Sequence, residues 1–249
     1  MNGALHGRVA LVTGASRGIG AATAHALARA GADVAVNYRE REAAATDVVH
    51  RIDALGRRAL AVQADVTVRE QVGAMVSRTV EALGAIDILV NNAGLLQQKP
   101  FGDITDEDWD RVLEVNLKGV FLCSQAVLPA MLGRGSGRIV NMASSGGQLG
   151  GLLAPHYAAS KAGVISLTRS LARLAAPEVA VNCIAPGLID TEMTQAEITS
   201  EAGRQKLRQI PLGRSGTAAE VAESVVFLAA SAPYLTGQTI NVNGGLYLG

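Results

Sequence analysis

Short apolar runs alternate with amphipathic stretches along the whole chain. Val9-Ala10-Leu11-Val12 is continuously apolar, which suits a parallel strand buried on both faces. Similar runs predict strands near 8–13, 33–38, 58–64, 86–91, 137–143, 179–185 and 238–242. Between them, residues near 18–30, 40–54, 68–83, 106–132, 155–176 and 217–230 read as helices. Thr105 or Asp106 can cap the fourth helix, and Thr217-Ala218-Ala219-Glu220 has capping-box form before the last. Strand alternating with helix implies an α/β fold: a doubly wound parallel sheet of about seven strands, covered by helices on both faces. No Pro/Ser-rich or charged linker interrupts the pattern, so residues 1–249 read as a single domain. Such sheets bind ligands at the carboxyl ends of their strands. Thr13, Tyr38, Asp65, Asn91, Ser144 and Pro186 all fall near such ends.

Two motifs carry chemistry. The first predicted strand runs into Thr13-Gly14-Ala15-Ser16-Arg17-Gly18-Ile19-Gly20, followed by a helix-forming segment. Strand, glycine-rich turn and helix in that order make a Rossmann-type dinucleotide-binding context, because phosphate can meet free backbone N–H groups at the helix N-terminus. The spacing G-x-x-x-G-x-G departs from the usual G-x-G-x-x-G. The second motif is Tyr157-Ala158-Ala159-Ser160-Lys161, thirteen residues after Ser144. Positions four apart share a helix face. A cation beside a phenol favours the phenolate, so Tyr157 and Lys161 form a candidate acid/base pair.

With these residues in hand, the chain resembles the single-domain short-chain dehydrogenases/reductases from about residue 7 to its C-terminus. The glycine motif Thr13–Gly20, Asp65-Val66, Asn91-Asn92-Ala93-Gly94, Asn116, Ser144, Tyr157 with Lys161, and Pro186-Gly187 with Thr191 follow in order. The segments 185–194, 211–214 and 236–245 look like those of 3-oxoacyl-acyl-carrier-protein reductases.

The resemblance implies a catalytic set of Asn116, Ser144, Tyr157 and Lys161. Tyr157 would protonate a carbonyl oxygen, Ser144 would orient it, and Lys161 would lower the Tyr157 pKa and hold the nicotinamide ribose. Asn116 would anchor a proton-relaying water. The implied cofactor site is Gly14, Ser16, Arg17, Gly18, Ile19, Gly20, Tyr38, Arg39, Asp65, Val66, Asn92, Ala93, Gly94, Tyr157, Lys161, Pro186, Gly187, Ile189 and Thr191. Tyr38 stands where NAD-using relatives carry an acid, and Arg17 and Arg39 suit a 2′-phosphate, so NADP(H) is expected. Residues of about 188–211 form the expected substrate lid. Leu95, Gln148, Leu149 and Leu152 are candidates for the pocket wall or for ordinary packing.

The implied reaction is reduction of a ketone or 3-oxoacyl thioester. An alcohol, hydroxysteroid or sugar dehydrogenase working oxidatively is the alternative, and a non-catalytic nucleotide sensor is a third reading. Glu178 and Gly135 replace the arginines of a carrier-protein docking patch, so an acyl carrier protein is admitted as a partner but not favoured.

Composition narrows the rest. Lys+Arg and Asp+Glu are both 22, giving a formal net charge of +0, which offers nucleic acid no basic field. No signal peptide and no run approaching transmembrane length are read, and the four histidines lack metal-ligand spacing. Cys123 and Cys183 read as buried free thiols of a cytoplasmic protein. Helices near 106–132 and 155–176 carry more apolar residues than one face can use, among them Val120, Leu122, Val127, Ile165 and Leu171, and a homotetramer is expected.

Overall fold

The computed structural model describes residues 3–151 and 154–248. In chain order the elements are β1 (Val9–Val12), α1 (Gly18–Arg29), β2 (Asp33–Tyr38), α2 (Glu42–Asp53), β3 (Ala59–Gln63), α3 (Arg69–Leu83) and β4 (Ile88–Asn91). Then come α4 (Asp106–Leu113), a π turn (Glu114–Lys118), α5 (Gly119–Arg134), β5 (Gly137–Met142), α6 (Gly146–Leu149), α7 (Pro155–Ala175) and β6 (Val179–Pro186). The chain closes with β7 (Ile189–Asp190), α8 (Gln195–Thr199), α9 (Glu201–Gln209), β8 (Gly216–Thr217), α10 (Ala218–Ala230) and β9 (Thr239–Val242).

Seven strands form one sheet in the order β3-β2-β1-β4-β5-β6-β9, and every pairing is parallel. Side chains alternate across a strand, and β1 shows what that does. Ala10 and Val12 enter one core with Leu27 of α1, Ile52 of α2 and Val225 of α10. Val9 and Leu11 enter the opposite core with Met75 of α3, Met131 of α5 and Ala175 of α7. Burial on both faces explains why the strands are continuously apolar.

The order reverses between β1 and β4, because the chain moves outward through β2 and β3 before returning. That switch point opens a crevice at the carboxyl edge. The predicted strands and helices are all present, with α6, α8, α9 and the small β7-β8 pair added by the structure.

One expectation needs correction. The chain does contain a helix, Asp106–Arg134, long and apolar enough to cross a membrane by length and composition alone. Its apolar residues serve a protein core instead: Leu122, Cys123, Val127 and Met131 are buried against the sheet. Thr105 caps this helix, its hydroxyl accepting from the Asp108 N–H while the Asp108 side chain accepts from the Thr105 N–H.

Candidate active site

The glycine loop is built by what surrounds it. The Thr13 hydroxyl leaves the end of β1 and accepts hydrogen bonds from the Asn92 and Ala93 N–H groups, each at 3.0 Å. Asn92 returns its amide to the carbonyls of Thr13 (2.9 Å) and Gly14 (3.0 Å). The loops after β1 and β4 are thereby locked together. Asn37, unpredicted by sequence, completes the frame. Its Oδ1 accepts from the Gly14 N–H at 3.1 Å, and its Nδ2 donates to Ala64 O at 3.1 Å. The legible signal was an amide following the apolar run Val34–Val36 within the strand.

Gly14 has φ 60, and a Cβ there would lie 2.8 Å from the Ala93 Cα. A Cβ on Gly20 would overlap Asn92 Nδ2 and the Gly14 carbonyl oxygen. These are requirements for bare backbone, and they bring the loop and the N-terminus of α1 to the wall of the crevice.

That crevice is lined by every one of the cofactor-site residues named from sequence, from Gly14 to Thr191, together with Ser144. Arg41, Arg111, Val115, Met142 and Glu192 join the lining without having been foreseen. The cradle fits a dinucleotide: the close-packed glycines, the helix N-terminus and the cluster of arginines are what its phosphates need. Some named residues also work on the protein itself. The Asp65 carboxylate accepts from the Thr67 N–H at 2.9 Å and lies 3.8 Å from Arg39. Tyr38 is buried, and its phenol is pushed up from the usual range by burial and by neighbouring Glu42.

Ser144 follows β5 and accepts from the Gly146 N–H at 3.0 Å. Tyr157 and Lys161 stand on α7, with the Lys161 Nζ 5.7 Å from the centre of the Tyr157 ring. Lys161 is buried and donates to Met142 O at 2.7 Å, and burial pushes its ammonium down to about 8. The expected lowering of the Tyr157 pKa is not met in this structure. Burial pushes the phenol up, the Ser144 hydrogen bond pulls it back, and the Glu197 carboxylate raises it further. The proton is therefore held on the phenol at neutral pH.

Asn116 differs from the other named residues in lying behind the crevice wall rather than on it. It sits in the π turn, fully buried. Its Oδ1 accepts from the Leu95 N–H at 2.7 Å, and its Nδ2 donates to Leu95 O at 2.9 Å and Ser160 Oγ at 3.0 Å. The side chain is thus engaged in tying the loop after β4 to α7. A Cβ on Gly94 would touch both Asn116 Oδ1 (3.4 Å) and Lys161 Nζ (3.5 Å), which places the two groups around one point.

The expected lid begins at β7, whose Ile189 pairs with Gly216 of β8, and carries α8 and α9. Glu197 of α8 accepts from Gln98 Nε2 at 3.1 Å and from Lys206 Nζ at 2.7 Å, joining the lid to the loop after β4. Of the pocket-wall candidates, Leu95 is half-buried on the crevice, Leu149 is exposed, and Gln148 has a buried Oε1. Leu152 lies outside the described residues. Among the described residues no cluster of metal-ligating side chains occurs.

The short chain dehydrogenase family profile matches residues 8–202. The chain belongs to the short-chain dehydrogenase family. Its members are oxidoreductases, and this chain is an enzyme of that kind with a nicotinamide dinucleotide site. It is 46% identical over 241 residues to a 3-oxoacyl-acyl-carrier-protein reductase of Staphylococcus aureus (strain Mu50), covering 96% of this chain and 98% of the other. A 3-oxoacyl-acyl-carrier-protein reductase of Synechocystis sp. is 46% identical over 248 residues, covering 98% and 99%. Among solved short-chain dehydrogenase folds, a Sinorhizobium meliloti 1021 structure assigned as a short-chain alcohol dehydrogenase superposes with a TM-score of 0.93 at 41% identity, covering 97% of each chain. A blue fluorescent protein from a metagenomic library, solved in complex with NADPH, has a TM-score of 0.93 at 37% identity, covering 98% and 99%.

Proposed function

We propose that this short-chain dehydrogenase is an NADP(H)-dependent ketoreductase that reduces a ketone or 3-oxoacyl thioester to the secondary alcohol. The observation that carries the reading is Ser144, Tyr157 and Lys161 lining one crevice with the glycine loop. A bound nicotinamide supplies the hydride. Tyr157, held protonated, gives its proton to the carbonyl oxygen as negative charge develops there. Ser144 hydrogen-bonds the same oxygen and orients it. Lys161 stabilises the phenolate that remains and reaches the ribose. Gly18 and Gly20 hold the pyrophosphate on backbone N–H groups, Gly14 brings the loop backbone close while its own N–H stays with Asn37, and Thr191, Pro186 and Gly187 bound the nicotinamide end. Arg17 and Arg39 on the crevice favour the 2′-phosphate of NADP(H), and the NADPH-bound structural relative supports that choice.

The two curated relatives are both named as 3-oxoacyl-acyl-carrier-protein reductases, which supports an acyl thioester as substrate. Glu178 and Gly135 still argue against a carrier-protein docking patch, so small 3-oxo esters and free thioesters are the favoured substrates. Cys123 and Cys183 are buried free thiols, which supports a reducing, cytoplasmic setting.

Steady-state oxidation of NADPH tests the reading. Wild-type protein is expected to turn over 3-oxoacyl thioesters, and Tyr157→Phe to lose nearly all turnover while still binding NADPH. Substantial turnover by Tyr157→Phe would remove Tyr157 as the acid. A kcat/KM far higher for an acyl-carrier-protein substrate than for the same acyl group on a short thiol, falling with salt, would overturn the docking argument.

A further inference from the structure

One carboxylate oxygen at the mouth of the crevice holds two guanidiniums. Glu192 Oε2 lies 2.6 Å from Arg17 Nη1 and 2.8 Å from Arg41 Nη1. Arg17 belongs to the glycine loop, Arg41 precedes α2, and Glu192 lies in the lid two residues after β7. All three line the dinucleotide crevice. Arg39, on the same crevice, is paired with Glu40 and faces Asp65. Arg17, Arg39 and Arg41 therefore each already carry a carboxylate.

Two guanidiniums converging on one anionic oxygen is the geometry a phosphate oxygen requires. We propose that Glu192 is a specificity-determining residue: an internal competitor that occupies Arg17 and Arg41 and must be displaced when the 2′-phosphate of the cofactor is recognised. The inference rests on the NADP(H) reading above. Three features support it. The carboxylate comes from a different part of the chain than either arginine, so it can leave without disturbing the glycine loop. All three side chains are exposed at the crevice mouth, and exposed ion pairs are weak enough to be exchanged. The incoming phosphate carries more charge than a carboxylate and offers three oxygens, so it wins the exchange.

The residue then sets how strongly the enzyme discriminates between the two nicotinamide cofactors. NADPH binding includes the cost of displacing Glu192. NADH, lacking the 2′-phosphate, does not compete for these arginines.

Dissociation constants for NADPH and NADH, measured by fluorescence on wild type, Glu192→Gln and Glu201→Gln, test this. Glu201 makes an ion pair with Arg204 elsewhere on the lid, so Glu201→Gln makes the same charge change away from the crevice. Glu192→Gln is expected to lower the NADPH Kd by about three- to tenfold, the size of one or two exposed ion pairs. NADH should gain less, widening the ratio of the two constants, and Glu201→Gln should leave both unchanged. An unchanged or narrowed ratio in Glu192→Gln, or an equal effect of Glu201→Gln, overturns the proposal. A wild type with no NADPH preference, unaltered by Arg17→Ala with Arg39→Ala, would instead overturn the NADP(H) reading beneath it.

Discussion

Lys161, proposed above as catalytic, shows what a buried ammonium costs the fold. The ammonium is buried with Met142 O as its hydrogen-bond acceptor, and its pKa falls from 10.5 to about 8. Because the folded value lies below the unfolded one, the unfolded chain binds the extra proton between these pH values. Stability from this group therefore rises as pH climbs from about 8 towards 10.5, and the penalty is fully present below about 8. The whole interval corresponds to about 3 kcal/mol at most. Lys161→Met is thus expected to be more thermally stable than wild type at pH 7, with the advantage shrinking towards pH 10. Thermal melts of both proteins across that range check it, and a gap that does not depend on pH would refute it. A stabilising substitution that removes activity is the expected behaviour of a strained functional position. Tyr157 and Lys161 were legible because a four-residue spacing puts both on one helix face. The direction of the Tyr157 shift was not, because it depends on burial and on groups distant in the chain, Ser144 and Glu197 among them.

At the scale of elements, the glycine loop is held by more than its own sequence. α10 packs on α1 through Val221 and Val225, and its start is fixed by a capping box. The Thr217 hydroxyl accepts from the Glu220 N–H at 3.2 Å, and the Glu220 carboxylate accepts from the Thr217 N–H at 2.8 Å. Arg214 and these bonds hold the Glu220 carboxyl at about 2. Thr217→Ala is expected to cost about 1 kcal/mol, read as a drop of about 2–4 °C in Tm. Unchanged stability would show that the cap is dispensable. The cap could be read in advance because Thr-x-x-Glu before an apolar run is a local pattern. The π turn at Glu114–Lys118 could not, since those residues suit an ordinary helix. Asn116 is held there by Leu95 and Ser160, and both contacts come from distant segments.

For the whole molecule, the surplus of apolar residues on α5 and α7 proves smaller than the sequence implied. Val120, Leu122, Val127 and Ile165 are buried within the single chain. Exposed apolar residues include Trp109, Phe121, Leu132 and Leu174 on α4, α5 and α7, and Leu212 and Leu248 beside the C-terminal strand. Two separate apolar faces are what closed two-fold packing into a tetramer uses. We predict a solution mass four times the 25.6 kDa chain, and dissociation towards dimers in Phe121→Asp. A monomeric mass at micromolar concentration would refute this. The amino-acid pattern by itself determined the alternating elements, the glycine loop and the spacing of Ser144, Tyr157 and Lys161, because each depends on residues close together in the chain. Only the tertiary structure decided the strand order, the Asn37 frame beneath the glycines, the engagement of Asn116, and the meeting of Arg17, Arg41 and Glu192. Those depend on contacts between segments brought together when the sheet reverses between β1 and β4, and no local period encodes such contacts.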